Sequence, residues 1–461
     1  KLIIDSGRYD HEFIEKYTRG FEEFKAYLDT QIMEQLSKWC GISVTDIEKL
    51  TEIFCSTAKI PLVAYTGLEY QLSAIQNNRA IFVLWAITGK LDAPGAIYLN
   101  AKGLEAPKLF EIPEDDKPIG VDEFPLFYKF SGLGQFSRFP KAVLEDEPYP
   151  VRGLMILGGS PVLSFPDSKS WREAYKKLDC LIVLDRYFTE DARYADVVFP
   201  ACSLFEVPKA VPGPEGPHIV EPLIEPVGES KNDVLIMGAI AKKLGFGDKL
   251  PQTEEELRSW LLSGTAPYAG DFGTSADQKK EKHYKKYETG ELRADGKPGF
   301  PTPSGKLEIC STILEENGFV PYPEYKDVRS IPELAGKEYP FTMTSGARSN
   351  NRMGVFGANL DKIAEIEPYP FVDINAEDAK EIGIEDGDMV KVITPFADGT
   401  FKAKIRGIAR HAIHIPHGGG SAYMAEPWKN GNVNDLCSLD YADPMTGFVL
   451  IKSVPCRVEK V

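Results

Sequence analysis

The chain has 461 residues, of which 43% are hydrophobic and 26% are charged, and it carries a formal net charge of −16 at pH 7. This composition is typical of a globular protein with about two to four domains. The acidic balance argues against nucleic acid as the main partner, because phosphate binding needs a basic surface. No apolar run reaches the roughly 18 residues of a spanning helix. We therefore expect a soluble protein, cytoplasmic by default, with no direct membrane insertion.

The cysteines give no sign of a metal site. Seven cysteines are scattered singly, and no two have the Cys-x-x-Cys spacing of a zinc or iron–sulfur site. We assign no metal ligand in the chain, and we interpret Cys180 and Cys310, in apolar strand-like runs, as core residues. The lysine-rich stretch at 279–286 is interpreted as a solvated loop, and a docking site for an acidic partner is the alternative.

Residues 1 to about 100 are mostly helical by their apolar spacing, whereas residues 90–120 are loop-like and residues 121–150 are rich in Phe and Pro without clear periodicity. The predicted helices are His11–Thr18, Phe21–Leu28, Gln31–Gly41, Val44–Ala58 and Gln71–Gly89. Ile60–Tyr65 is rich in β-forming residues and predicts a strand. We interpret residues 1–150 as part of one α/β domain.

Residues 151–250 predict a Rossmann-like α/β domain with a parallel sheet. The apolar runs Leu154–Leu157, Cys180–Leu184 and Val197–Pro200 are typical of strands, and Ser168–Leu178 has helical spacing between the first two. Gly158–Pro161 follows directly after the first strand. In doubly wound sheets, ligands bind at the carboxyl ends of strands, so this turn is a candidate ligand site.

The remaining sequence changes character twice. Residues 207–230 predict an irregular loop, and a helix follows at Asp233–Leu244. Residues 251–335 are interpreted as an irregular connecting segment that includes a short helix near its start. From about residue 338, apolar and alternating runs between turn signals predict a compact β-barrel, assigned to residues 336–461. These runs are Phe341–Thr344, Phe371–Ile374, Asp388–Thr394, Gly399–Ile405 and His411–Ile415.

Several sequence motifs along the chain resemble those of a known family. The signature-like blocks are Gly158–Pro161, Leu184–Glu190, Ala195–Pro200, Tyr9–Phe13, Thr302–Glu308 and Thr344–Arg348. Over essentially its whole length the chain resembles the large subunits of the dimethyl sulfoxide reductase family of molybdopterin oxidoreductases. The resemblance implies a C-terminal six-stranded barrel of the double-psi type that binds a molybdopterin dinucleotide.

The resemblance also implies a cofactor and partners. The cofactor is a bis-molybdopterin guanine dinucleotide with molybdenum or tungsten, which supports two-electron oxygen-atom, sulfur or hydride-type transfer to a small-molecule substrate. Lys1 corresponds to a point inside the family's third domain. A four-iron four-sulfur cluster and the metal ligand are therefore expected in an N-terminal portion outside this chain. An iron–sulfur electron-transfer subunit is the expected further partner, and the parent enzyme is either cytoplasmic or exported and membrane-associated through partners.

The first group of candidate cofactor-binding residues lies in the α/β part. Gly158, Gly159 and Ser160 offer backbone N–H groups to a phosphate or ribose, although Ser160 stands where the family commonly has Asn. Asp185 can accept both N–H donors of guanine, and Thr189 adds a hydroxyl. On chemistry alone, Asp185 is equally well a turn or cap residue. By resemblance, Asp233 also faces the cofactor.

The second group lies in the barrel. By resemblance, Gly346, Ala347 and Arg348 form the loop that contacts the second dinucleotide, and a surface arginine is the alternative for Arg348. The remaining candidates are Asn350, His417, Asn434 and Lys452. His411, His414 and His417 imitate a metal spacing. However, His411 and His414 fall on opposite faces of a predicted strand, so a structural or pterin-bonding role for His417 is preferred.

Two alternatives remain open beside the redox enzyme, and no catalytic residue is assigned. A few members of the family catalyse hydration or hydroxyl transfer with the metal as Lewis acid. The chain is otherwise a cofactor-binding fragment that is inactive in isolation. A dinucleotide dehydrogenase has little support, because no Gly-x-Gly-x-x-Gly follows a strand.

Overall fold

A computed structural model describes residues 1–99, 117–211, 216–263, 283–346, 360–424 and 426–461. The candidates Ala347, Arg348 and Asn350 lie outside the described residues. The chain divides into two compact units, one formed by residues 1–104 and 281–327 and the other by residues 105–280 and 328–461. These packing units cut across the four segments predicted from sequence, whose boundaries stay a prediction.

The helices predicted from the sequence are present, with ends that differ by a few residues, and further helices such as Pro125–Ser131 and Phe139–Glu145 lie where none was predicted. The described helices are α1 (Leu2–Asp5), α2 (His11–Tyr17), α3 (Phe21–Asp29), α4 (Met33–Cys40), α5 (Val44–Ser56), α6 (Ala74–Ile87), α7 (Pro125–Ser131), α8 (Phe139–Glu145), α9 (Pro161–Ser164), α10 (Ser168–Lys177), α11 (Asp233–Lys243), α12 (Glu254–Leu262), α13 (Lys286–Thr289), α14 (Thr312–Glu316), α15 (Asp361–Ile366) and α16 (Ala376–Glu381).

The described strands are short. They are β1 (Thr18–Arg19), β2 (Gly153–Leu157), β3 (Cys180–Asp185), β4 (Val197–Pro200), β5 (Lys209–Val211), β6 (His218–Val220), β7 (Leu307–Glu308), β8 (Phe341–Ser345), β9 (Phe371–Asn375), β10 (Met389–Ile393), β11 (Asp398–Arg406), β12 (Ala412–Ile415) and β13 (Val454–Lys460).

The first unit packs its helices around a core of large apolar side chains. That core contains Ile3, Ile4, Phe21, Phe24, Phe54, Val83, Ile87 and Ile309. The predicted strand at Ile60–Tyr65 is wrong: no strand is assigned there, and the Val63 side chain is 97% exposed. A β-rich run forms a strand only where a partner strand satisfies its backbone, and propensity alone does not supply one.

A buried ion pair in the same unit corrects the interpretation of the lysine-rich stretch. The Lys286 ammonium binds the Asp92 carboxylate, and both side chains are almost fully buried. Asp92 also accepts the backbone N–H of Lys286 at 2.7 Å and that of Leu99 at 3.1 Å. At least this lysine is therefore part of the core, because burying its charge requires a paired carboxylate.

The second unit contains the predicted parallel sheet. Its strand order is β2-β3-β4, and both pairings are parallel. Between β2 and β3, α10 begins at the N-cap Asp167, whose side chain accepts the Ser170 N–H. Trp171, Ala174 and Tyr175 of α10 are buried in the core of this layer. The prediction of an α/β fold is confirmed.

Two details near this sheet differ from the sequence interpretation. Cys180, the first residue of the central strand β3, is exposed rather than buried, whereas Cys310 is buried as expected. The segment 207–230 is not wholly irregular, since β5 and β6 pair as an antiparallel hairpin.

The C-terminal part is a closed barrel of six strands in the order β10-β11-β9-β12-β8-β13. Two of the neighbouring pairs are parallel (β11 with β9, β12 with β8), and the other four are antiparallel. The predicted barrel is confirmed. Strand β13, which the sequence interpretation omitted, closes it by pairing with both β8 and β10. Among the described residues, no helix is long and apolar enough to cross a membrane.

Candidate functional site

The turn after β2 presents backbone donors at the carboxyl end of the sheet. Gly158 has φ +57°, and no atom lies within 4 Å of a Cβ built there, so its conformation rather than space favours glycine. The Gly158 N–H donates to Leu184 O at 2.9 Å. Within the described part of the chain, the N–H groups of Gly159 and Ser160 have no assigned acceptor. These two donors are the ones this turn can offer to a ligand.

The Ser160 side chain points away from that role. Its hydroxyl donates to the Asp191 carboxylate, which is fully buried and also accepts the Val162 N–H at 3.1 Å and the Tyr175 hydroxyl at 2.9 Å. Burial raises the pKa of Asp191, and these three donors partly offset that effect. Sequence reasoning missed Asp191, which directly follows the motif block Leu184–Glu190 and lies outside it.

Two predicted carboxylates lie near each other at the same edge. Asp185 ends β3, and one of its oxygens accepts the Tyr187 N–H at 3.0 Å, so it does form a local turn. Asp233 begins α11, after the N-cap Asn232. The pKa of Asp233 is raised, first by burial and then by the charge of Asp185, while Arg186 lowers it. Because a carboxylate has two acceptor oxygens and the turn bond uses one, Asp185 can still accept a hydrogen bond from a ligand.

The loop after β3 also reaches the barrel. The Thr189 hydroxyl oxygen accepts the Ala192 N–H at 3.2 Å, which leaves the hydroxyl hydrogen to donate. The buried Glu190 carboxylate accepts the Ala422 N–H at 3.1 Å. Ala422 lies five residues after His417, which belongs to the predicted cofactor-binding loop of the barrel. The Thr189 loop and this barrel loop are therefore fixed against each other within the second unit.

Three predicted residues of the barrel converge. Gly346 has φ +104°, and a Cβ built on it would lie 2.6 Å from the Lys452 ammonium nitrogen and 3.2 Å from His417 Nε2. The Lys452 side chain is 9% exposed, and burial lowers its pKa. Cys437 is the neighbour that acts against this lowering of the pKa. A buried cation beside an imidazole fits an anionic ligand group such as a phosphate or a pterin oxygen.

Asn434 has a structural role that the sequence did not suggest. Its amide nitrogen donates to Leu163 O at 2.7 Å, and its backbone carbonyl accepts the Asp167 N–H at 3.2 Å. It thus ties the barrel to the α/β layer. Its side-chain oxygen is buried and has no partner among the described residues. This oxygen could still accept a hydrogen bond from the cofactor, so the predicted contact of Asn434 stays a prediction.

The histidines do not form a metal site in the described residues. His411 lies just outside β12 with φ +58°, and His414 Nδ1 lies 3.0 Å from an Asp373 carboxylate oxygen. No group of three or more His, Cys, Asp or Glu side chains arranged to hold a metal occurs in the part of the chain that the structure describes.

Two family models match the chain in the regions that carry these loops. "Molybdopterin oxidoreductase" matches residues 70–243, and "Molydopterin dinucleotide binding domain" matches residues 342–455. The chain belongs to the molybdopterin oxidoreductase family. The resemblance inferred from the motifs is therefore confirmed, and a molybdopterin cofactor is the ligand of the family to which this site belongs.

Curated relatives with different named activities are similar to this chain in sequence. A formate dehydrogenase subunit alpha of Methanocaldococcus jannaschii is 28% identical over 90% of this chain and 62% of its own length. Acetylene hydratase of Syntrophotalea acetylenica is 25% identical over 90% of this chain and 61% of its own length. The chain thus spans less than two thirds of the length of these curated relatives.

A solved structure supports the fold. Acetylene hydratase from Pelobacter acetylenicus superposes with a TM-score of 0.79 and 21% sequence identity, covering 100% of this chain and 69% of that one. At this identity the likeness concerns the fold alone.

Proposed function

We propose that this chain is the C-terminal, cofactor-binding part of a bis-molybdopterin guanine dinucleotide oxidoreductase with molybdenum or tungsten. The dinucleotides bind between the carboxyl edge of the sheet β2-β3-β4 and the barrel. The whole enzyme carries out two-electron transfer to a small-molecule substrate. The observation that carries the proposal is the Glu190–Ala422 hydrogen bond, because it joins the predicted guanine-binding loop to the predicted pterin-binding loop.

The residues of the sheet edge fit one guanine dinucleotide. Asp185 accepts the two guanine N–H donors, a paired contact that adenine cannot make, and the Thr189 hydroxyl donates to a guanine acceptor. The N–H groups of Gly159 and Ser160 bind the pyrophosphate. Asp233, whose pKa is raised first by burial and then by the charge of Asp185, adds a second acidic group at this edge.

The residues of the barrel fit the other anionic end of the cofactor. Lys452 supplies charge to a phosphate or pterin oxygen, and His417 supplies a ring N–H or acceptor beside it. Gly346 keeps this space free of a side chain. The bound metal supplies the redox or Lewis-acid chemistry, and this chain's own groups bind, orient and shield the cofactor.

The proposal includes partners outside the chain. The metal ligand and a four-iron four-sulfur cluster are expected in the N-terminal remainder, and an iron–sulfur subunit carries electrons to or from the enzyme. The relatives' greater length supports this, since it leaves room for a further segment.

Analysis of the purified chain tests cofactor binding. The chain should release guanosine monophosphate and a fluorescent oxidised pterin after acid treatment, with molybdenum or tungsten in stoichiometric amount. The variant Asp185→Asn, which loses the proposed guanine contact, should purify with less guanine nucleotide than the wild-type chain. A wild-type chain that takes up no cofactor from cells making it would contradict the proposed cofactor binding by this chain.

A hydratase is the second candidate, because a curated acetylene hydratase matches this chain over 90% of its length. The two candidates differ in electron balance. A redox enzyme oxidises or reduces a viologen dye in step with its substrate, whereas a hydratase turns its substrate over without consuming dye. Assaying the complete enzyme with both readouts separates them.

A further inference from the structure

We infer that Asp191 is a positioning residue for the phosphate-binding turn: its carboxylate holds the Ser160 hydroxyl and so fixes the direction of the Gly159 and Ser160 N–H groups. The inference rests on the proposed function, because it assigns these N–H groups to the cofactor pyrophosphate. It adds a residue that neither the motifs nor the family comparison assigns.

The Asp191 carboxylate connects three segments. One oxygen accepts the Ser160 hydroxyl from the turn after β2. The other accepts the Val162 N–H at 3.1 Å, from the start of α9, and the Tyr175 hydroxyl at 2.9 Å, from α10. Asp191 itself is fully buried, and Ser160 is 9% exposed. Water therefore competes little with these bonds, and the turn has one preferred orientation.

The Ser160 hydroxyl is used in an unusual way for its position. A serine at a helix N-cap normally accepts an N–H of the first turn with its side-chain oxygen. Ser160 precedes α9 but makes no such cap bond, and Asp191 takes the Val162 N–H instead. The hydroxyl is thereby committed as a donor to Asp191, which ties the turn to the loop after β3.

This arrangement links the two halves of the nucleotide site. Thr189, the predicted base contact, lies two residues before Asp191, and its oxygen accepts the Ala192 N–H. One short segment therefore carries both the base contact and the anchor of the phosphate turn. Because the Asp191 carboxylate bonds the phosphate turn directly, whereas Thr189 keeps its own bond to Ala192, a change at Asp191 or Ser160 should alter phosphate binding more than base binding.

The test compares variants of the full 461-residue chain by calorimetric titration with two probes, GDP and guanosine. Ser160→Ala should weaken GDP binding about tenfold, the value of one well-aligned charge-assisted hydrogen bond. It should change guanosine binding less than twofold. Ser160→Thr keeps a hydroxyl and should restore GDP affinity.

Tyr175→Phe is the matched control, because it removes a hydroxyl donor from the same carboxylate but from α10 rather than from the turn. It should lower the thermal unfolding midpoint without changing the ratio of GDP to guanosine affinity. Asp191→Ala should lower that ratio at least as much as Ser160→Ala, and adding Ser160→Ala to it should lower the ratio no further. If Asp191→Ala does not fold, the comparison of Ser160→Ala with Tyr175→Phe decides.

An equal loss of GDP and guanosine affinity in Ser160→Ala, or an equal loss of the ratio in Tyr175→Phe, would overturn the positioning role while leaving the proposed function intact. A wild-type chain that binds neither probe would instead overturn the nucleotide site and the inference with it.

Discussion

The carboxylate of Glu190 accepts the backbone N–H of Ala422 at 3.1 Å, across 232 positions of sequence. Its other oxygen accepts an Arg193 guanidinium N–H at 2.8 Å, and the Glu190 side chain is 3% exposed. A single buried side chain thus joins the α/β layer to the barrel at the edge where the candidate site lies. Met424 and Trp428 of the barrel loop continue the core of the α/β layer. The two layers therefore form one packed body within the second unit.

Replacing Glu190 should destabilise this junction. Glu190→Ala removes a buried, charged acceptor from both the Ala422 N–H and the Arg193 guanidinium, and we expect the free energy of unfolding to fall by about 2 kcal/mol. Glu190→Gln keeps an acceptor oxygen and should lose about half of that. Urea denaturation followed by tryptophan fluorescence measures both. Glu173→Ala, at an exposed surface carboxylate, is the control and should leave the midpoint unchanged. A Glu190→Ala midpoint equal to that of the control would contradict the junction role.

Asp185 should set the preference for guanine. If its carboxylate accepts the guanine 2-amino group, wild-type chain binds GDP more tightly than IDP, which lacks that group. Asp185→Asn replaces an anionic acceptor with an amide, so GDP affinity should fall about 10- to 100-fold while IDP affinity falls less. Competition titration with both nucleotides checks this. Asn232→Ala, which removes only the cap of α11, should lower stability and leave the preference unchanged. An unaltered GDP-to-IDP ratio in Asp185→Asn would rule out the base contact.

The Lys286–Asp92 pair should be a main stabiliser of the first unit. Lys286→Met leaves a buried carboxylate without its cation, and the expected loss is about 3–5 kcal/mol of unfolding free energy. Adding Asp92→Asn removes the uncompensated charge and should recover part of that loss. A double-mutant cycle on thermal unfolding gives the coupling energy. The same cycle on the exposed Lys176–Glu173 pair should show no coupling. A coupling as small as that of the surface pair would show that the Asp92 charge is compensated by other groups.

Local patterns predicted much of the fold because the elements involved are decided locally. Helix α10 and strands β2 to β4 follow from apolar spacing and turn residues. The missed strand β13 depends on distant partners: Val454–Lys460 pairs with residues near 343 and 391. The opposite error at Ile60–Tyr65 has the same cause, since a β-forming run without a partner stays irregular.

The candidate site was predictable in its loops but not in its contacts. The positions of Gly158, Asp185 and His417 after strands follow from motif and periodicity. The Ser160–Asp191 bond spans 31 positions, and no local pattern reports which way a serine side chain turns. The burial of Lys452 is likewise a result of how the barrel closes, because composition alone places lysine at the surface.

Lys452 should lower the stability of the ligand-free chain and raise its affinity for anions. Its ammonium is buried, so Lys452→Met removes a desolvated charge, and we expect the ligand-free chain to gain roughly 1 kcal/mol at pH 7. The same variant should bind inorganic pyrophosphate about tenfold more weakly. Thermal unfolding and calorimetric titration measure the two opposite effects. Lys391→Met, at an exposed barrel lysine paired with Asp398, should change neither.

The pH dependence of these two effects follows from the direction of the pKa shift. Burial places the pKa of Lys452 in the folded chain below the value of about 10.4 expected for unfolded lysine. Between these two values the unfolded chain holds more protons, so the stability of wild type relative to Lys452→Met rises with pH through that window. Pyrophosphate affinity should fall over the same range as the ammonium loses its proton. A stability difference that is constant from pH 7 to pH 10 would mean that an anionic group already compensates the charge.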